Sequence, residues 1–148
     1  MRSFLSEDGF SLLELLLSIS LIGILLAASF PVYQQVQNRN AAMLAANTIE
    51  QTVHRATTLA RSGAQDSVWG VKVAAGSVIL FSGDSYAARN ADFDEVFSIP
   101  TNVEFSATPE MVFAKQTGVQ AADQVVTVSG RGEAVVTLTL LTSGVVNR

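Results

Sequence analysis

The sequence contains no cysteine and a single histidine, His54. The first absence excludes disulfides, thiolate zinc sites, Cys-x-x-Cys redox pairs and cysteine nucleophiles. The second leaves any metal or catalytic role of His54 without another imidazole, so it reads as an ordinary helical residue. Charge is scarce as well: Asp, Glu, Lys and Arg make up 15% of 148 residues, and nine basic against thirteen acidic side chains give a net charge of −4. An acidic chain lacks the cationic surface that phosphate backbones select. The basic residues Lys72, Arg89, Lys115 and Arg131 are interleaved with acids, which argues against nucleic acid as a partner. Neither a Gly-x-Ser-x-Gly elbow nor a Ser-x-x-Lys run occurs, so the chain reads as non-enzymatic and without a cofactor.

What the chain has in excess is apolar residues, 49% of the total, and the excess lies at the N-terminus. From Phe10 to Phe30 there are 21 residues with one charge, Glu14. A helix of that length spans about 31 Å, close to the roughly 30 Å hydrocarbon core of a bilayer, so the segment is long enough to cross a membrane. Read as a conventional secretory leader, it has Leu12–Leu26 as its apolar region and a cut near Ala27-Ala28-Ser29. Two features count against that. The flank before the run carries Glu7 and Asp8 against a single Arg2. Glu14 lies inside the run, where an ionised side chain costs about 2.5–3.5 kcal/mol. Such an acid requires a partner.

Gly9-Phe10-Ser11-Leu12-Leu13-Glu14, followed by the apolar run, resembles the processing site of type IV prepilins and type II secretion pseudopilins. The resemblance implies cleavage between Gly9 and Phe10 by a prepilin peptidase that also methylates the new Phe10 amine. It implies removal of the leader 1–9 and retention of residues 10–30 as a transmembrane helix that becomes the filament core. Glu14 is then fifth in the mature chain, as the family pattern requires, and Gly23 and Pro31 fall where members often carry a helix-loosening glycine and a proline kink. The precursor would be a single-pass protein of the cytoplasmic membrane, N-terminus inside, with membrane lipid as its partner. An inner-membrane assembly platform would draw it into a homo-oligomeric or mixed pilin filament, extracellular or periplasmic.

After such a cut the Phe10 amine and Glu14 are about 6 Å apart along the helix axis. The carboxylate can pair with its own or a neighbour's ammonium, and in an apolar bundle that pairing sets register. The simpler reading is that Glu14 only benefits from the positive end of the helix dipole. Phe113, Gly118 and Gly144, in a strand, Gly-Arg turn and strand context, give the C-terminal half a looser resemblance to GspH-like minor pseudopilins. A shaft subunit and a low-abundance tip subunit that binds cargo, DNA or a surface therefore both stand. A conventionally secreted domain cut near Ser29 is a third reading.

Beyond the run, Gln34–Arg61 lacks Pro and Gly. Ala42, Ala46, Ile49, Val53, Ala56 and Ala60 recur at spacings of four and three, with Met43 and Leu59 widening the stripe. Residues 31–62 thus read as an amphipathic helix with Asn38, Arg39, Gln51, Arg55 and Arg61 facing outward. A kinked rod from about Ser11 to Ser62 ends at Ser62-Gly63. Residues 63–148 read as a β-rich domain. Val68–Val73 and Ser77–Phe81 form a hairpin about the three-residue turn Ala74-Ala75-Gly76, with Trp69, Val71 and Val73 to one side. Ser82–Glu95 reads as a polar loop before a strand Val96–Ile99. Strands follow at Met111–Ala114, Gln124–Ser129 and Ala134–Leu141, the last two joined by the turn Ser129-Gly130-Arg131-Gly132, with an edge at Val145-Val146. The fold class is α+β, a pilin-like ladle whose long N-terminal helix packs on an antiparallel sheet. Asp84, Asp92, Asp94 and Glu95 are oxygen ligands of the kind calcium takes, but their spacing fails the EF-hand pattern. They read as solvated loop acids. Trp69, Phe81, Tyr86 and Phe93 read as core and loop anchors.

Overall fold

The computed structural model describes residues 10–130 and 133–148, without the side chains of 28–32, 133 and 134. The chain divides into two compact units, one ending at Val36 and one running from Gln37 to Arg148.

In the first unit a helix, α1 (Leu12–Ser62), begins one residue after Ser11. Ser11 is its N-cap: the Ser11 Oγ accepts the Glu14 N–H at 3.2 Å and the Ser11 carbonyl accepts the Leu15 N–H at 3.1 Å. A serine in this position satisfies a donor that the first turn otherwise leaves open. α1 continues through Gly23 and Pro31. The bend expected at Pro31 falls within residues 28–32, whose side chains lie outside the described residues. No helix among the described residues is long and apolar enough to cross a membrane. The described apolar side chains end at Ala27, and the 21-residue span expected from the sequence also needs Ala28, Ser29 and Phe30, whose side chains are outside the description.

In the second unit the rest of α1 lays one face on two sheets. Ala42, Ala45, Ala46, Ile49, Val53, Ala56 and Ala60 are all buried, which is the expected stripe with Ala45 added. Met43 is 38% exposed and so lies off the stripe that was expected to include it. The alanines let strands approach closely. A Cβ on Gly130 would stand 2.6 Å from the Asn38 carbonyl oxygen, so this contact between helix and strand admits only glycine. The buried hydroxyls of Thr52 and Thr57 donate to the carbonyls of Thr48 and Val53, at 2.7 and 2.8 Å, so no polar group is stranded there.

The β domain is two four-stranded antiparallel sheets where the sequence suggested one. The first has the order β3-β2-β1-β5, from β1 (Trp69–Ala74), β2 (Ser77–Ser82), β3 (Asn90–Ser98) and β5 (Glu110–Phe113). The second has the order β4-β6-β7-β8, from β4 (Val103–Phe105), β6 (Gln124–Gly130), β7 (Glu133–Leu140) and β8 (Val146–Asn147). The split arises because β4 pairs with β6 whereas β5 crosses to β1, Trp69 opposite Phe113. Val71, Val73, Leu80 and Phe113 from the first sheet and Val126, Val128, Leu138 and Leu140 from the second join the helix stripe in one core.

Three local expectations change. Ala74 pairs with Ser77, so the first turn is the two residues Ala75-Gly76, with Gly76 at φ 79°. The polar loop is shorter than expected because β3 starts at Asn90: Phe93 and Phe97 pack against the core, Asp92 and Asp94 take alternate positions, and Glu95, on the face of the phenylalanines, meets Arg55 of α1. β4, three residues long, has too little pattern to stand out in the sequence. The turn residues Arg131 and Gly132 lie outside the described residues, and the Gly130–Glu133 pair brackets them. At the helix end Gly63 takes φ 65°, as expected of a C-terminal glycine, and the Gln116 N–H donates to the Ala60 carbonyl at 2.8 Å.

Candidate functional site

The candidate site is the start of α1, where an apolar surface and one acid coincide. Leu12, Leu13, Leu15, Leu16, Leu17, Ile19, Leu21, Ile22, Ile24, Leu25 and Leu26 are each more than half exposed, and Phe10 is 82% exposed. A contiguous apolar surface of this kind marks a contact with another protein or with lipid. The polar residue Ser20 does not interrupt it, because its hydroxyl donates to the Leu16 carbonyl at 2.7 Å.

Glu14 is exposed in the first turn of this helix and is its only acid before Glu50. Among the described residues no cation pairs with it. It stands three residues after the Ser11 cap, the spacing at which a glutamate favours a helix start, and the dipole there supports a negative charge. The sequence reading missed the Ser11 cap although its signal, a serine three residues before a glutamate, was present. The dipole and the cap hold the carboxylate at the helix end but leave its charge unneutralised, so an apolar environment around this turn has to supply a cation.

Residues 6–30 match the prokaryotic N-terminal methylation motif. The match is consistent with the type IV prepilin and pseudopilin family, whose members are structural proteins. It takes in Gly9, Phe10, Glu14 and Gly23, ends one residue before Pro31, and does not extend into the β domain. The motif implies processing by a prepilin peptidase and a membrane-held precursor of a surface filament. No solved structure matches the chain.

Outside the methylation motif, the remaining candidates are structural. Glu95 is bound by Arg55, through Arg55 Nη2 at 2.6 Å and Nε at 2.9 Å, and Asp94 is bound by Arg89 Nε at 2.7 Å. Asp84 and Asp92 are exposed, and no group of three or more acids or histidines among the described residues is placed to hold a metal ion. The Glu95 and Asp94 carboxylates raise the pKa of Arg55 and Arg89 above the usual guanidinium value, in each case chiefly through the hydrogen bond. The hydrogen bond from Lys115 lowers that of Asp66. Lys72 faces Glu110 at 3.7 Å. The described cations of the β domain are thus spent on acids and form no patch for a polyanion.

His54 is exposed on α1. Trp69 is 5% exposed and its indole N–H donates to the Ala64 carbonyl at 3.0 Å, which fixes the turn after the helix. Phe81 and Tyr86 meet edge to face at 5.7 Å, and Arg89 covers Tyr86 at 3.9 Å from the ring centroid, closing the loop over the outer face of the first sheet. Phe93 packs against the core. All four aromatics are anchors, as expected.

Proposed function

We propose that this protein is a structural subunit of a type IV pilus or pilus-like secretion filament. It is held in the cytoplasmic membrane by residues 10–30 and then assembles by side-by-side packing of its apolar helices. The observation that supports this is the apolar start of α1, exposed all round, with a single acid at its first turn. Before assembly lipid covers this surface, and after assembly the helices of other copies do. Repeated head-to-tail contacts between copies do not close on themselves, so they build a filament and not a ring.

In this reading the peptidase cuts between Gly9 and Phe10 and methylates the Phe10 amine, which keeps its positive charge. The ammonium then lies about 6 Å along the axis from Glu14, and the carboxylate can pair with it or with that of a neighbour. An unpaired carboxylate is costly in an apolar bundle, so only arrangements that neutralise Glu14 are retained. Gly23 loosens the helix and Pro31 bends it where the apolar segment meets the β domain.

Electron microscopy of cells that carry Glu14→Ala in place of the natural residue tests this. The expected result is a variant that inserts in the membrane at the unsubstituted level and yields few or no filaments. Filaments at the unsubstituted yield would contradict the role of Glu14.

A further inference from the structure

Arg39 is exposed on α1 at the start of the second unit, and among the described residues it pairs with no acid. The other described arginines are engaged: Arg55 with Glu95, Arg89 with Asp94, Arg148 with Glu50, and Arg61 with the carbonyls of Thr117 and Ser143. Arg39 is therefore the counterpart of Glu14: among the described residues, each is a charged side chain of this helix that makes no ion pair or side-chain hydrogen bond. Around it lies an apolar patch. Met43 shares its face at a spacing of four, and Asn40 and Leu44, themselves four apart, form the row beside it; Met43 and Leu44 are 38% and 56% exposed. No acid stands on this face. The first acid beyond it, Glu50, is held by Arg148.

On the Glu14 side, Leu17, Ser18 and Leu21 share the face of the acid at spacings of three, four and seven. The two faces are complementary, one acid with leucines and one base with Met43 and Leu44. We propose that the Arg39, Asn40, Met43 and Leu44 face of α1 seats the first turns of a second copy's helix, with the Arg39 guanidinium closing on that copy's Glu14 carboxylate. The proposal rests on the filament reading above and names the seat it needs. Guanidinium suits the role because its planar fork grips both carboxylate oxygens and it stays charged in an apolar setting. Glu14 then has its own Phe10 ammonium within the chain and Arg39 between chains. For parallel copies the pairing sets a stagger of 25 residues along the sequence.

The test uses filaments co-assembled from two single-cysteine chains, Leu17→Cys and Met43→Cys, in this otherwise cysteine-free protein. Any disulfide between them joins two copies. Oxidation is expected to give a dimer that a reductant removes, while a mixture of Leu17→Cys with His54→Cys is expected to give none. Intact filaments without the Leu17–Met43 dimer would overturn the seat and leave the filament reading standing. Should the cysteine chains not assemble, Arg39 decides: Arg39→Glu is expected to lower filament yield about tenfold or more, with Arg39→Lys keeping much of it. Full yield from Arg39→Glu overturns the proposal. Absence of filaments from the unsubstituted chain would sink the filament reading itself, and the seat with it.

Discussion

Arg55 on α1 and Glu95 on β3 form a two-bond fork, with N to O distances of 2.6 and 2.9 Å. It ties the helix to the edge strand of the first sheet and turns an acid that resembled a calcium ligand into a structural ion pair. Asp94 next to it is taken by Arg89.

Calcium is therefore expected to leave the protein unchanged. Thermal melts in millimolar calcium and in excess chelator should superimpose. A rise in melting temperature of several degrees with calcium would show that Asp84, Asp92, Asp94 and Glu95 rearrange to bind it.

Two glycines separate a steric requirement from a flexible one. A Cβ on Gly70 would lie 2.3 Å from the Phe81 ring and 2.8 Å from the Met111 carbonyl oxygen, whereas one on Gly23 meets nothing within 4 Å. Gly70→Ala is expected to destabilise by about 1–3 kcal/mol, read by urea unfolding through Trp69 fluorescence. Gly23→Ala should raise helix stability by about 0.5–1 kcal/mol, read by circular dichroism in detergent. Equal effects of the two would contradict the packing at Gly70.

The Lys115–Asp66 pair gives a pH dependence of known sign. The folded pKa of Asp66 lies below its unfolded value, chiefly because Lys115 donates a hydrogen bond to it. The contribution is present above the ordinary aspartate range and is lost as pH falls through the folded pKa. Lys115→Met should flatten that part of the acid-side slope by lowering neutral-pH stability slightly while leaving stability in strong acid unchanged, the effect being small because Asp66 is an exposed partner. An unaltered slope in acid titrations would contradict the pairing.

Ser11→Ala removes the cap that accepts the Glu14 N–H and is expected to cost about 1 kcal/mol at the helix start. Amide exchange at Leu13, Glu14 and Leu15 in detergent should rise, with no change at Ala56. No rise would remove Ser11 from the helix start.

The helix was legible because its two halves carry different patterns, and both are long. The alanines from Ala42 to Ala60 mark a buried stripe that the folded unit reproduces. Strand positions in β1, β2, β6 and β7 followed from alternation and turn residues to within a residue or two. The division into two sheets was not legible, since it depends on β4 and β5 choosing different partners, a matter of long-range pairing that local pattern does not encode. Met43 was misread for a related reason: apolar character placed it with the core, but its position on the helix turns it outward. Of the candidate site, Glu14 stood out as a lone charge in an apolar run. Arg39 did not, because its significance comes from every other described arginine having found a partner.

The most direct test of the central claim, that the apolar helix survives maturation and begins at Phe10, is the mass of the mature N-terminal peptide purified from filaments or membranes. The account predicts a chain starting at Phe10 with one added methyl on its amine. A chain starting beyond Ala27, with the apolar segment removed, would contradict it.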